Sequence, residues 1–360
     1  MHSSIRRAWV EVDLGALLRN GTAIAAHAGV NILPMVKADA YGLGAVAVAR
    51  ALEQLDPWGF GVATIAEGEE LRRAAIERPL VVFSPLLIGD FDAAVRANLT
   101  PTLGTREAIE RWRETGRPWQ LSIDTGMSRA GVQWDEIDNL RDAIAASPPQ
   151  AAFTHFHSAE REDETRDLQE QRFAEAVARL PARPLLIHAE NGAAVEHRAP
   201  SKWGLARPGI FLYGVTSGNA PRIQPEPVVS VRARVIDLRT IAAGETVGYD
   251  ATYRAPTKRR IATLGIGYAD GYRRGLGNRA SVLFHGRRAR VVGVVTMDMT
   301  MIDVTDVQCE IGDIATLMGS DGADRIDVNE LAEMGGLSPY EILTGLRGRL
   351  PRRYFGGGDE

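Results

Sequence analysis

Eight short apolar runs, most of them separated by helical stretches, predict an N-terminal (β/α)8 barrel of the TIM type. A change to two-residue periodicity after a proline-rich break predicts a C-terminal, mainly-β domain. The fold class is therefore α/β, a barrel followed by a β domain. The chain has 360 residues, 45% of them hydrophobic, more than one core usually holds. The two domains are placed at residues 10–222 and 223–360, with residues 1–9 associated with the second.

Trp9 to Leu14 alternates polar and apolar side chains, which suits a half-buried strand, and a helical stretch runs from Gly15 to Ala28. The eight runs follow at residues 31–37, 60–64, 80–84, 100–104, 119–124, 151–155, 185–188 and 210–213. Helices are expected at 45–52, 67–76, 90–97, 106–114, 134–145 and 167–180. In the last, Phe173, Val177 and Leu180 share one face. The charge run from Glu160 to Asp167 reads as a solvated helix start. Pro221, Pro225 and Pro227 can continue neither a helix nor a central strand, so 220–227 is the linker. Beyond it Val229, Val231, Ala233 and Val235 alternate with Ser230, Arg232 and Arg234. Further strands are expected at 261–267, 280–284 and 290–295, with a hairpin turn at 284–287 and short helices near 329–334 and 339–346.

The net charge of −4, with both signs interspersed, gives no nucleic-acid or membrane surface. No run approaches the length of a membrane span, and residues 2–7 lead into no apolar signal core. The single cysteine, Cys309, allows no intrachain disulfide and fits a cytoplasmic location.

In a barrel of this kind the chemistry sits where strands end and loops begin. Those ends carry Lys37, Ser84, Asp124, His155, Asn191 and Arg207. Six such groups on one rim make a site, although Asp124 also suits a plain cap on the Thr125-Gly126 turn. His155 and His157 have no third ligand nearby, so no metal site is expected. Lys37 ends an apolar run, where partial desolvation lowers its pKa and frees the amine. Arg207-Pro208-Gly209-Ile210 offers a permanent cation and a turn whose amides suit a phosphate. A lysine and a phosphate cradle on one rim suggest a Schiff-base cofactor, pyridoxal 5′-phosphate.

Met35-Val36-Lys37-Ala38-Asp39-Ala40-Tyr41-Gly42 resembles the cofactor-lysine motif of the alanine racemase family. Similar segments follow in family order: Trp9–Leu14, Ile123–Arg129, Thr154-His155-Phe156, Arg207–Ile210, Val247-Gly248-Tyr249, Gly267–Gly271 and Met297-Asp298. The resemblance implies that Lys37 holds the cofactor and acts as the base for the D-substrate. It implies that Tyr249 is the opposite base, supplied to each site by the partner of a homodimer. Tyr41, Asn191, Gly209, Ile210 and Tyr340 are implied at the phosphate end. Arg207 is implied at the pyridine nitrogen, and Arg129 with the backbone of Met297 at the substrate carboxylate. A relay from Tyr249 through His155 to Arg207 is a further implication.

These residue types suit the chemistry, because racemisation needs a proton taken from one face of Cα and returned to the other. The sequence departs from the family pattern at Ser122, where a carbamylated lysine is common, so Arg129 needs another partner. It departs again at Gly192, where a phosphate-binding serine is common. A pyridoxal-phosphate decarboxylase of the same fold should carry an acid at the pyridine nitrogen, which Arg207 opposes, and a cysteine proton donor. Cys309 lies in an ordinary turn instead. A non-enzymatic cofactor-binding protein of one barrel should lack the second domain. A broader amino-acid racemase, acting for example on serine, is the nearest rival in substrate.

Overall fold

The computed structural model describes residues 6–161 and 163–357, so residues 1–5 lie outside the described part. The chain divides into two compact units. One comprises residues 17–40 and 45–226; the other comprises the described residues up to 16, residues 41–44 and those from 227 onward.

The first unit is a closed ring of eight parallel strands. Leu80–Val82, Thr100–Leu103, Gln120–Asp124, Ala151–Phe153 and Leu186–His188 follow Phe60–Val62 in neighbouring order. The parallel bridge Met35↔Gly61 joins Phe60–Val62 to the first strand, Asn31–Ile32. The bridge Asn191↔Arg207 reaches the last strand, Leu205–Ala206, which pairs back onto Asn31–Ile32 and closes the ring. Side chains of the inner strands are buried on both faces, as parallel strands covered by helices require.

Local chemistry sets the helix starts. Thr64 caps Ile65–Arg73 in a reciprocal capping box with Glu67, and Thr105 caps Arg106–Arg113. The eighth apolar run does not form a strand. Ile210–Tyr213 is a 3-10 helix between Gly209 and Gly214, and all four of its side chains are buried. A short buried apolar run carries no period that separates strand from helix, and the strand lies just before Arg207 instead. The charge run near residue 160 is not wholly solvated either. Arg166 is buried, with its guanidinium over the Phe156 ring and Nη1 donating to the Ala194 carbonyl at 3.1 Å.

The second unit is built on a nine-stranded sheet. Its spine is Val229–Ile241, whose burial alternates over its first half as the two-residue period predicts. Ala8–Asp13 pairs with it antiparallel, which ties the N-terminal strand into this sheet. The expected hairpin is present, with His285 and Gly286 at φ 51° and 74° linking Ser281–Phe284 to Arg287–Val291. Positive φ at both central residues gives the turn whose twist matches the strands. The second hairpin strand thus starts at Arg287 rather than Arg290. Ile314–Asp321 and Thr300–Asp303 are strands that the periodicity did not mark.

Candidate active site

Lys37 begins a short helical turn, Lys37–Gly42, of unusual hand. Ala38, Asp39, Ala40 and Tyr41 have φ of 54°, 56°, 50° and 56°. Left-handed backbone costs about 1–2 kcal/mol per non-glycine residue, so the turn must be held from outside. Glu67 holds its start, with Oε1 accepting from the Ala38 amide at 2.9 Å and Oε2 from the Ala63 amide at 2.7 Å. Asp39 holds its far side by accepting from the Ala45 amide at 2.8 Å. The reversal of hand fixes the direction in which the chain leaves Lys37.

The Lys37 amine has its pKa lowered by burial first, then by the charges of Arg129 and Arg207, with Glu67 opposing. Neutral amine is therefore present at lower pH than for a surface lysine. His155 joins the same group. Burial and the charges of Arg207, Arg129 and Lys37 hold it down at about 3, so its imidazole is neutral through the physiological range.

Arg207 is buried and three of the five N–H donors of its guanidinium are engaged. Nη1 donates to His188 Nδ1 at 2.7 Å, and Nη2 donates to the Thr154 and Ala189 carbonyls at 2.7 and 3.0 Å. Its plane lies over the rings of Phe83 and Phe153. His188 Nε2 faces Gln120 Oε1 at 3.1 Å, so its proton is assigned to Nε2 and its Nδ1 lone pair faces the arginine. Burial, then the Arg207 charge, hold His188 neutral. Burial lowers Arg207 to about 10, which leaves it a cation at neutral pH. The three residues form a fixed Gln120–His188–Arg207 chain. Arg207 makes no hydrogen bond to His155 among the described residues; its charge acts on the imidazole without a direct bond.

Asn191 caps the helix Gly192–His197 through Oδ1, which accepts from the Ala194 amide at 3.0 Å, and its Nδ2 donates to the Phe156 carbonyl. The amides of Gly209 and Ile210 meet no acceptor among the described residues. Asp124 does cap its turn, accepting from the Gly126 and Ser128 amides at 2.9 and 3.1 Å. Ser84 is exposed. Arg129 is exposed, with no hydrogen bond or ion pair among the described residues, so no protein partner in place of the lysine absent at Ser122 is seen there. Ser122 itself is buried against Gly131, where an added Cβ would meet its Oγ at 2.8 Å.

The remaining expected site residues belong to the second unit. Tyr41 is buried there, its ring 6.0 Å from that of Tyr340, with its pKa raised by burial first and then by Tyr340. Tyr340 stands at the start of the capped helix Pro339–Thr344 and is half exposed. Tyr249 is 70% exposed and Met297 is 54% exposed. Asp250, beside Tyr249, pairs with Arg274 at 3.7 Å.

Three residues that shape the site escaped the sequence reading. Glu67 was legible in the spacing Thr64-x-x-Glu67, a capping signature whose acid here also serves the lysine turn. His188 ends an apolar run and could have been taken with the other strand-end groups. Gln120 gave no signal, because a polar residue inside a strand acquires meaning only through its cross-strand partner.

The chain matches the alanine racemase N-terminal domain over residues 12–217 and the alanine racemase C-terminal domain over residues 228–354. It is 37% identical over 367 residues to an alanine racemase of Geobacter sulfurreducens, covering 96% of each chain. Among solved structures it resembles the alanine racemase from E. faecalis, with a TM-score of 0.92, 29% identity and coverage of 98% and 99%. It also resembles the alanine racemase from Bartonella henselae with covalently bound pyridoxal phosphate, with a TM-score of 0.90, 28% identity and coverage of 97% and 99%. Two domain matches in the right order over nearly the whole chain place this protein in the alanine racemase family.

Proposed function

We infer that the protein interconverts L-alanine and D-alanine, with pyridoxal 5′-phosphate held covalently on Lys37. The observation that carries this reading is the half-buried Lys37 amine at a barrel-strand end, its pKa lowered by burial first and then by Arg129 and Arg207. Only a neutral amine can bond to a carbonyl carbon. The cofactor suits the residues present, since the free amides of Gly209 and Ile210 follow Arg207 directly. When bound, it supplies an electron sink that acidifies the substrate's Cα–H.

The chain's own groups then divide the work. Lys37 takes or returns the proton on one face of Cα, the face of D-alanine. The partner subunit's Tyr249 does so on the other face, that of L-alanine. The exposure of Tyr249 supports a homodimer in which this side chain acts outside its own subunit. Gly209, Ile210, Asn191, Tyr41 and Tyr340 are assigned to the phosphate end. Arg129 and the Met297 amide are assigned to the substrate carboxylate. Arg207 is assigned to the ring nitrogen. A guanidinium gives up its proton poorly, so a remaining N–H donor of Arg207 would orient the ring and leave the nitrogen unprotonated. That restrains the electron sink and disfavours transamination. Neutral His155 serves as a hydrogen-bonding neighbour.

Cys309 is a buried free thiol, which fits a reducing cytoplasm. Among the described residues no helix is long and apolar enough to cross a membrane. In this reading the product serves peptidoglycan synthesis, or the enzyme opens alanine breakdown.

The test is conversion of L-alanine by purified protein with added pyridoxal 5′-phosphate, followed by chiral chromatography, with L-serine in parallel. The expected result is equal amounts of the two alanine enantiomers at equilibrium, with serine slower. Release of carbon dioxide and ethylamine, or no D-alanine at all, contradicts it.

A further inference from the structure

Glu196 lies in the helix Gly192–His197, at a position four residues beyond Gly192 and so on the same face. Its side chain is fully buried. Oε2 accepts from the Ser217 amide at 2.8 Å, but Oε1 has no partner among the described residues. A buried carboxyl oxygen without a partner is destabilising and calls for an explanation. Its location supplies one. The point where a Cβ on Gly192 would sit is 3.5 Å from Glu196 Oε1 and 3.6 Å from the Gly209 amide nitrogen. The orphaned oxygen and an amide that itself lacks an acceptor therefore border the same point, where a residue-192 side chain would begin. A serine at residue 192 would fill that space with a hydroxyl; here it is left to the glutamic acid.

We propose that Glu196, as a neutral carboxylic acid, donates its Oε1–H to the phosphate of bound pyridoxal 5′-phosphate and so replaces the absent hydroxyl at Gly192. This rests on the cofactor assignment above. The protonation state agrees: burial pushes Glu196 up to about 7, against the Ser217 amide, the nearby Ser217 hydroxyl (which makes no hydrogen bond of its own among the described residues) and the charge of His197. The charged neighbours are few. His197, on the same helix, bonds the Ser217 carbonyl at 2.7 Å. Arg166, from the helix Thr165–Ala178, bonds the Ala194 carbonyl. The Arg222 amide donates to the Glu196 carbonyl at 2.9 Å, and Glu160 packs where a Cβ on Gly218 would lie. Of these only His197 acts on the Glu196 charge. A bound phosphate dianion disfavours a second negative charge and raises the acid further.

The consequence is a cofactor affinity that depends on pH with a definite sign. Below about 7 the acid is protonated and donates. As pH rises through that value it ionises and repels the phosphate. Stripped protein should be titrated with pyridoxal 5′-phosphate and, separately, with pyridoxal, which lacks the phosphate, and binding read by absorbance. Dividing the two affinities cancels the titration of Lys37. Between pH 6.5 and 8.5 this ratio should fall about tenfold more in wild type than in Glu196→Gln, whose amide donates at every pH. Glu196→Leu should lose about tenfold in the ratio at pH 6.5, while pyridoxal binding stays unchanged in every variant. Parallel pH curves for wild type and Glu196→Gln, or full affinity in Glu196→Leu, overturn the proposal and leave the cofactor assignment intact. Failure of wild type to bind either compound overturns both. Glu196→Gln preserves the side-chain volume, so the test stands even if the leucine variant folds poorly.

Discussion

Lys37→Ala is expected to abolish racemisation and the absorbance of covalently held cofactor together. The physical reason is that one side chain carries two roles. In the proposed mechanism its neutral amine is the attachment point, and the same amine is the base on one face of Cα. A positioned general base contributes up to about 10⁴-fold by itself, so the loss should be at least that large. The lysine is not a stabilising element, since its pKa is lowered chiefly by burial. Removing it should leave thermal stability equal or slightly higher, which separates loss of chemistry from loss of fold. Absorbance spectra of the reconstituted variant, with a melting curve beside them, check both halves. A persisting band of bound cofactor in Lys37→Ala contradicts the assignment.

Tyr249→Phe is expected to slow proton exchange from L-alanine by about 10²–10⁴-fold while exchange from D-alanine falls far less. The substitution removes one hydroxyl from a residue that is 70% exposed, so stability should hardly change. The asymmetry between enantiomers is the informative part. A tyrosine that merely shaped the site would slow both alike. Exchange rates measured for each enantiomer in deuterium oxide decide between these outcomes, and equal slowing contradicts the two-base assignment.

The parts of this molecule that were legible in sequence share a cause. Lys37, Arg207 and Asn191 stand at the ends of apolar runs, and barrel geometry turns every strand end toward one rim. Seven of the eight runs marked strands, because short buried segments between helices leave little other choice. The eighth run failed for a physical reason. Ile210–Tyr213 is buried on all sides, and burial alone carries no period. The strand it displaced, Leu205–Ala206, is too short to show alternation.

The left-handed turn after Lys37 was hidden for a different reason. Four consecutive non-glycine residues at positive φ contradict local preference. Glu67, from outside the turn, and Asp39, from within it, hold it in place. A site is where tertiary contacts override local rules. The same holds for Glu196. In sequence it is one more acid in a helix, and that its Oε1 lies buried without a partner near Gly192 and Gly209 is visible only in the folded ring. Arg166 taught the converse lesson, a charge run counted as solvated whose arginine is buried under a carbonyl and a ring.

The most direct test of the account is the isotope pattern of a single wild-type turnover in deuterium oxide, starting from protiated L-alanine. Two bases on opposite faces require the proton lost to one base to be replaced by solvent hydrogen from the other. The account therefore predicts that D-alanine formed early carries deuterium at Cα while the remaining L-alanine stays largely protiated. Early D-alanine that retains the original proton means that one group serves both faces, and contradicts the division of labour between Lys37 and Tyr249.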